Sequence, residues 1–350
     1  MLLTGHTGFK GSWLLLILDH LGAEVTGFSL PPPSSPSMFE ILNLRDFCEH
    51  HVGDVRDLPA LQEIARSVRP EIVFHMAAQP LVRAAYTSPI ETYSTNVMGT
   101  ANLLEACRGI SQIQAIINVT TDKCYENEGV SSEFVESDRL GGFDPYSSSK
   151  ACSELVTSAY RNSFFAGTDV GVASARAGNV IGGGDFAEDR LVPDAIRAFI
   201  CGNSLKVRNK LSTRPWQHVL EPLTGYLQLA ERLSTDRTCA EAWNFGPRAD
   251  DVASVEQVVN GLVNNWGQPA CWHQDEGVHP HEATSLTLSS KKSCERLGWV
   301  PQLELDQALD LTIEWYRTWQ LNGDLLELSK LQISNFLTVP SDSTIKRSPE

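Results

Sequence analysis

Dense runs of lysine and arginine are missing from this chain, as are long apolar stretches, paired-cysteine motifs and internal repeats. A net charge of −15 with scattered cations argues against general nucleic-acid binding and against a polybasic membrane anchor. The one strong apolar run near the start, Leu14 to Leu18, is far too short to span a bilayer. It lies inside a glycine-rich turn-to-helix unit, so it reads as neither anchor nor signal peptide. Eight cysteines (Cys48, Cys107, Cys124, Cys152, Cys201, Cys239, Cys271 and Cys294) include no C-x-x-C and no paired histidine spacing. They read as free thiols of a reducing compartment rather than as metal ligands or a disulfide framework. No metal is therefore expected, and the cytoplasm is the expected address.

What is present is a repeated alternation of strand and helix. Strands are predicted near residues 2–4, 24–29, 49–53, 71–75, 115–120 and 170–176, with helices near 9–21, 58–68, 89–107 and 145–165. Such βα units imply a doubly wound, parallel Rossmann sheet of α/β class over residues 1–177. A helix near 219–233 and a strand near 242–245 are expected to return to it, so that 216–247 belongs with the main sheet. A smaller mixed α/β lobe is expected from 178–215 and 248–320. The tail from 321 to 350 loses periodicity, ends polar and is expected to be mobile. The first strand has three residues before its loop, so it is short or the start lies upstream.

Gly5-His6-Thr7-Gly8-Phe9-Lys10-Gly11 follows the first strand and opens the first helix. Glycines permit a tight turn and close backbone approach to a pyrophosphate seated at a helix N-terminus. The spacing is G-x-x-G-x-x-G, weak alone, but it heads a βα series where a dinucleotide would bind. The second strand ends Gly27-Phe28-Ser29-Leu30 without the acidic residue expected to hold a ribose 2′-hydroxyl. No arginine follows to receive a 2′-phosphate, which favours NAD over NADP. Asp54, after the third strand, reads equally as an adenine acceptor or as a turn-stabilising residue.

Tyr146 and Lys150 are spaced Y-x-x-x-K, so they project from one helix face. An ammonium nearby favours a phenolate by charge attraction. Tyrosine must lose roughly three pKa units, about 4 kcal/mol, to act as a base near neutral pH. Oxidation of an alcohol by a nicotinamide needs such a base. Thr121-Asp122-Lys123 lies upstream, and its Asp-Lys pair suggests that acid–base chemistry follows the hydride step.

With these residues in place, the chain resembles the extended short-chain dehydrogenase/reductase family of nucleotide-sugar enzymes from its first residue to about Trp319. The likeness includes His75-Met76-Ala77-Ala78-Gln79 and Thr95-Asn96-Val97-Met98-Gly99-Thr100. Within that family it looks like the 4,6-dehydratases that act on CDP-glucose, on four longer segments. These are the glycine loop through Trp13, Thr121 to Asn127, Gly178 to Asp185 and Arg214 to Val219. The resemblance implies NAD bound by Gly5, Thr7, Gly8, Phe9 and Gly11, by Asp54 and Val55, and by Ala77, Ala78 and Asn96, beside Tyr146 and Lys150. It implies oxidation at carbon 4 with Tyr146 as base and Thr121 on the emerging ketone. Water is then lost across carbons 5 and 6, with Asp122 as acid and Lys123 as base, and the hydride returns to carbon 6. Related dehydratases carry Glu where this chain has Lys123, and an ammonium abstracts a proton only when its pKa is depressed.

An acidic chain must place local cations to hold a sugar-nucleotide pyrophosphate, and arginine forks suit phosphate best. Arg190 and Arg214 lead by loop position and family pattern, with Asn179 and Arg83 at strand ends and Gln79 beside them. Arg176, inside a predicted strand, reads as half of a structural pair. Asn96 reads alternatively as a helix-packing amide. The helices opening at Pro89 and Pro145 carry apolar residues on more than one face, which suggests a homodimer. Rival readings are a nucleotide-sugar 4-epimerase, which has no use for Asp122 and Lys123, and a non-catalytic dinucleotide sensor, which has no use for the Thr-Tyr-Lys set.

Overall fold

The computed structural model describes residues 1–127, 133–248, 251–277 and 285–338. Its main sheet has seven strands: β1 Leu2–Thr4, β2 Thr26–Ser29, β3 Glu49–Val52, β4 Ile72–His75, β5 Ala115–Val119, β6 Gly171–Ala177 and β7 Ala242–Phe245. They lie in the order β7-β6-β5-β4-β1-β2-β3, all parallel. The expected doubly wound Rossmann sheet is therefore present. Every residue of β5 and β6 is buried, as strands covered by helices on both faces require. Chain order reverses between β1 and β4, which opens a crevice at the carboxyl ends of these strands.

Two helices set the crevice. Helix Phe9–His20 leaves the glycine turn, and every residue from Gly11 to Leu18 is buried. It is apolar all round because it lies between the sheet and the smaller lobe. Trp13 Nε1 crosses to that lobe, donating to the Gly183 carbonyl at 2.9 Å. Helix Pro145–Tyr160 begins at the Asp144 cap, whose carboxylate accepts from Ser147 N at 2.9 Å and Ser147 Oγ at 2.6 Å. Proline fills its first turn, where no backbone donor is needed. That fixed start places Tyr146 at the mouth and Lys150 one turn deeper.

The lobe is built on a three-stranded sheet, Asn179–Ile181, Thr213–His218 and Val252–Ser254, with helices Leu191–Ile200 and Val255–Trp266 beside it. Helix Leu220–Thr235 leads back to β7, which pairs with β6.

Three elements depart from expectation. The predicted helix over 89–107 contains a wide π turn at Ser94–Met98 between Pro89–Tyr93 and Gly99–Cys107. A separate short helix, Val82–Thr87, precedes it. The predicted mobile tail is corrected over Leu325–Thr338, which is a helix with Leu325, Ser329, Ile333 and Phe336 buried. Its buried stripe includes Ser329 and Gln332, so hydrophobicity alone hides the helical period. Ser329 Oγ instead accepts from Trp315 Nε1 at 2.9 Å. Residues 339–350 lie outside the described residues.

Candidate active site

The glycine turn is built for close approach. Gly5 has φ +77°, and a Cβ there would lie 2.6 Å from the Ala77 nitrogen. A Cβ on Gly11 would lie 2.1 Å from the Gly5 carbonyl oxygen. These two glycines let the turn, the helix start and the loop after β4 share one cradle. Thr7 is buried beneath it, its Oγ1 2.9 Å from Ser29 Oγ and donating to the Leu30 carbonyl at 2.9 Å. Its side chain therefore ties the turn to the end of β2.

A cavity of about 350 Å³ opens over the carboxyl ends of β1, β4, β5 and β6. Thr121, Asp122, Lys123 and Tyr146 line it, with Phe9 and Lys10 from the first helix, and Asn179, Arg190 and Arg214 from the lobe side. Residues more than a hundred positions apart in sequence thus meet at one surface. Thr121 Oγ1 donates to Asp122 Oδ1 at 2.8 Å, and the same hydroxyl lowers the proton affinity of Tyr146. Asp122 Oδ2 is buried without a hydrogen-bond partner among the described residues.

Burial sets the proton affinities here. It pushes the Tyr146 phenol up to about 12, against the pull of Thr121 and the Arg190 charge. The sequence expectation of a depressed tyrosine is not met in the protein alone, because desolvation outweighs Thr121 and Arg190. Burial likewise raises the Asp122 carboxyl, although Lys123, Thr121 and Arg214 oppose it. The same cause lowers Lys150 to about 8, with Glu154 resisting. Lys150 Nζ lies beneath the cavity, donating to the Val119 carbonyl at 3.4 Å.

The remaining predicted residues divide into two groups. Arg83 and Arg190 reach the cavity, and both already meet carboxylates. Arg190 pairs with Asp185 at 2.9 Å, and Arg83 with Asp189 at 2.8 Å. Arg214 is buried and donates to the Thr213 carbonyl at 2.8 Å. Other residues brace the walls. Asn96 clamps the loop after β4, accepting from Gln79 N at 2.8 Å and donating to the Gln79 carbonyl at 3.1 Å and Ser149 Oγ at 2.9 Å. Gln79 donates to Thr92 Oγ1 at 2.8 Å and is not among the lining residues. Asp54 receives two atoms of Arg56 and that residue's backbone N–H, as a turn-stabilising residue does. Val55 is buried against Gly99, and Ala77 and Ala78 are half-buried beside the cradle.

Two features escape the sequence reading. Lys10 is half-buried and lines the cavity. It lies 5.9 Å from the centre of the Tyr226 ring. Desolvation, then Lys150 and Arg190, lower it to about 7, with Asp122 opposing. A charged residue between Phe9 and Gly11, in an otherwise apolar helix start, was the available signal. The second feature lies behind Thr121. Glu154 accepts from Thr120 Oγ1, from Ser174 Oγ at 2.6 Å and from Arg176 Nη2 at 2.8 Å. Arg176 is the structural pair the strand position suggested.

The fold and the cleft together are those of the extended short-chain dehydrogenases/reductases. Among solved structures, MoeE5 in complex with UDP-glucuronic acid and NAD superposes with a TM-score of 0.77 at 25% identity, covering 91% of this chain and 99% of that one. The UDP-glucose 4-epimerase of Thermotoga maritima, solved with UDP-glucose, shares the fold with a TM-score of 0.79 at 22% identity over the same shares. The chain belongs to the GDP-mannose 4,6 dehydratase family, whose model matches residues 2–312. It is 50% identical over 341 residues to the CDP-glucose 4,6-dehydratase of Salmonella typhimurium, covering 96% of this chain and 95% of that protein.

Proposed function

We propose that this protein removes water from CDP-glucose to give CDP-4-keto-6-deoxy-glucose, using NAD that is regenerated within each turnover. The observation that carries this reading is the placement of Asp122 beside Thr121 and Tyr146 in one cavity, in a chain half identical to a relative of that activity. An epimerase needs no acid for a departing hydroxyl, and a sensor needs no complete Thr-Tyr-Lys set.

The residues fit the cofactor. The Gly5 and Gly11 cradle, which a Cβ would fill, sets the first backbone N–H groups of the helix, those of Phe9 and Lys10, toward a pyrophosphate, while the Gly8 N–H closes the turn on the Gly5 carbonyl at 3.1 Å. Ala77 and Ala78 border the same cradle. The bound nicotinamide supplies the acceptor for the hydride from carbon 4 and the donor of that hydride to carbon 6. The chain's own groups handle protons. Tyr146 takes the proton of the hydroxyl on carbon 4, and Thr121 and the positive charge of Arg190 favour its ionised form. Thr121 donates to the new carbonyl oxygen. Asp122, whose burial favours the neutral acid, protonates the departing hydroxyl. Lys123 takes the proton from carbon 5. Arg83, Arg190, Asn179 and Arg214 supply donors for the pyrophosphate of the substrate.

We further place the protein in the cytoplasm as a homodimer. Free thiols at all eight cysteines suit a reducing compartment. The exposed Ile90, Met98 and Leu155 lie on the two helices that would meet a second copy. Incubation with CDP-glucose, TDP-glucose and GDP-mannose, followed by the alkaline absorbance of a 4-keto sugar, tests the reading. Turnover of CDP-glucose is expected; no turnover of any of the three removes it.

A further inference from the structure

The dehydratase reading, on which this inference rests, leaves the chain's protons unbalanced unless one of them moves. Tyr146 takes the proton from the hydroxyl on carbon 4 and keeps it, because the product retains a ketone there. Asp122 gives its proton to the oxygen leaving carbon 6, which departs as water. The base takes a proton from carbon 5 and returns one to the same carbon, so its state is unchanged. The hydride that leaves carbon 4 for the nicotinamide dinucleotide comes back at carbon 6, so the electrons also cancel. Each turnover thus starts from ionised Tyr146 with protonated Asp122 and ends with neutral Tyr146 and ionised Asp122. Before the next turnover the phenol must lose one proton and the carboxylate must gain one.

The structure contains a path between them. Thr121 Oγ1 donates to Asp122 Oδ1 at 2.8 Å, and Tyr146 lines the same cavity with that hydroxyl, which lowers the proton affinity of the phenol. The three side chains are enclosed, with Thr121 8%, Asp122 1% and Tyr146 7% exposed. Burial raises the proton affinity of both end groups. We propose that Thr121 is the proton relay that resets the site. Its oxygen accepts the hydrogen of Tyr146 Oη while its own hydrogen passes to Asp122 Oδ1. One O–H bond breaks at Tyr146, one is exchanged at Thr121, and one forms at Asp122. With Oδ2 unpartnered, the carboxyl can then turn about its Cβ–Cγ bond to present the proton to the leaving hydroxyl.

The test compares Thr121→Ser, which keeps the hydroxyl, with Thr121→Val, which removes it at nearly constant shape. NAD binding followed by protein fluorescence establishes that each variant is folded. Wild-type product formation is measured first, and its absence would remove the dehydratase reading itself. With wild type active, Thr121→Ser is expected to retain a rate within about threefold, and Thr121→Val to fall by about a hundredfold or more. Imidazole, small enough to enter the cavity and carry a proton, should then raise the Thr121→Val rate about tenfold or more and leave wild type unchanged. A Thr121→Val rate that is flat in imidazole overturns the relay. Rescue of Lys10→Met by imidazole without rescue of Thr121→Val also overturns it, and assigns the transfer to the amine.

Discussion

Arg176 Nη2 meets Glu154 Oε2 at 2.8 Å in the interior, each side chain 3% exposed, one helical turn beyond Lys150. The pair lies directly behind the strand end that carries Thr121, and Thr120 Oγ1 donates into it. Arg176 Nη1 also donates to Tyr125 Oη at 2.7 Å, which donates in turn to Asn244 Oδ1 at 2.7 Å. Removing one partner leaves the other charge buried and unpaired, so Glu154→Ala should cost about 3–5 kcal/mol in urea unfolding. Arg176 holds the Glu154 carboxyl below its ordinary value even against burial. The pair's contribution is therefore present above the unfolded carboxyl pKa and is lost as pH falls through the depressed folded value. Glu154→Ala should accordingly unfold with less acid dependence than wild type.

Lys150 should show a trade between function and stability. Its folded pKa of about 8 lies below the ordinary 10.5, so burying the ammonium costs stability below pH 8. That cost shrinks as pH rises from the folded towards the unfolded value. Lys150→Met should abolish measurable turnover yet raise unfolding stability by about 1–3 kcal/mol at pH 7, with the gain fading by about pH 10.5. Thermal unfolding across this pH range checks it, and a destabilised variant at pH 7 contradicts it.

Lys10 predicts a proton linkage to cofactor binding. At pH 8 an amine with a pKa of about 7 is mostly neutral. An anionic pyrophosphate at the turn that carries it favours the ammonium. NAD binding at pH 8 should take up close to one proton, read by calorimetry in two buffers of different ionisation enthalpy. Affinity should then weaken as pH rises above 7. Lys10→Met should bind without uptake, and an unchanged uptake would assign the linkage elsewhere.

The two halves of the chemistry should separate by mutation. Tyr146→Phe should lower hydride transfer by orders of magnitude while NAD binding stays nearly intact. Asp122→Asn should still oxidise the sugar but stall before water loss, so bound NADH accumulates in the absorbance spectrum. A wild-type dehydration rate in Asp122→Asn would deny it the acid role.

Much of this arrangement was legible in the chain, because local rules fix it. The glycine turn, the proline and aspartate that start helix Pro145–Tyr160 and the mostly apolar strands each announce themselves within a few residues. Thr121, Asp122, Lys123 and Tyr146 follow, since strand and helix ends place them. Properties set by distant neighbours were not legible. The rise of Tyr146, the fall of Lys10 and the burial of Glu154 depend on what packs over them, which no local window contains. Helix Leu325–Thr338 was hidden for a related reason: Ser329 is buried because Trp315 supplies its partner. Gln79 and Asn96 illustrate the converse, since polar residues beside a predicted site turn out to hydrogen-bond each other.

The most direct measurement is the fate of a deuterium placed on carbon 4 of CDP-glucose. Internal return of the hydride predicts a product carrying that deuterium on carbon 6, detected by mass and proton resonance, with NAD unlabelled at the end. A keto sugar lacking deuterium at carbon 6, or label left on the released cofactor, would contradict the account.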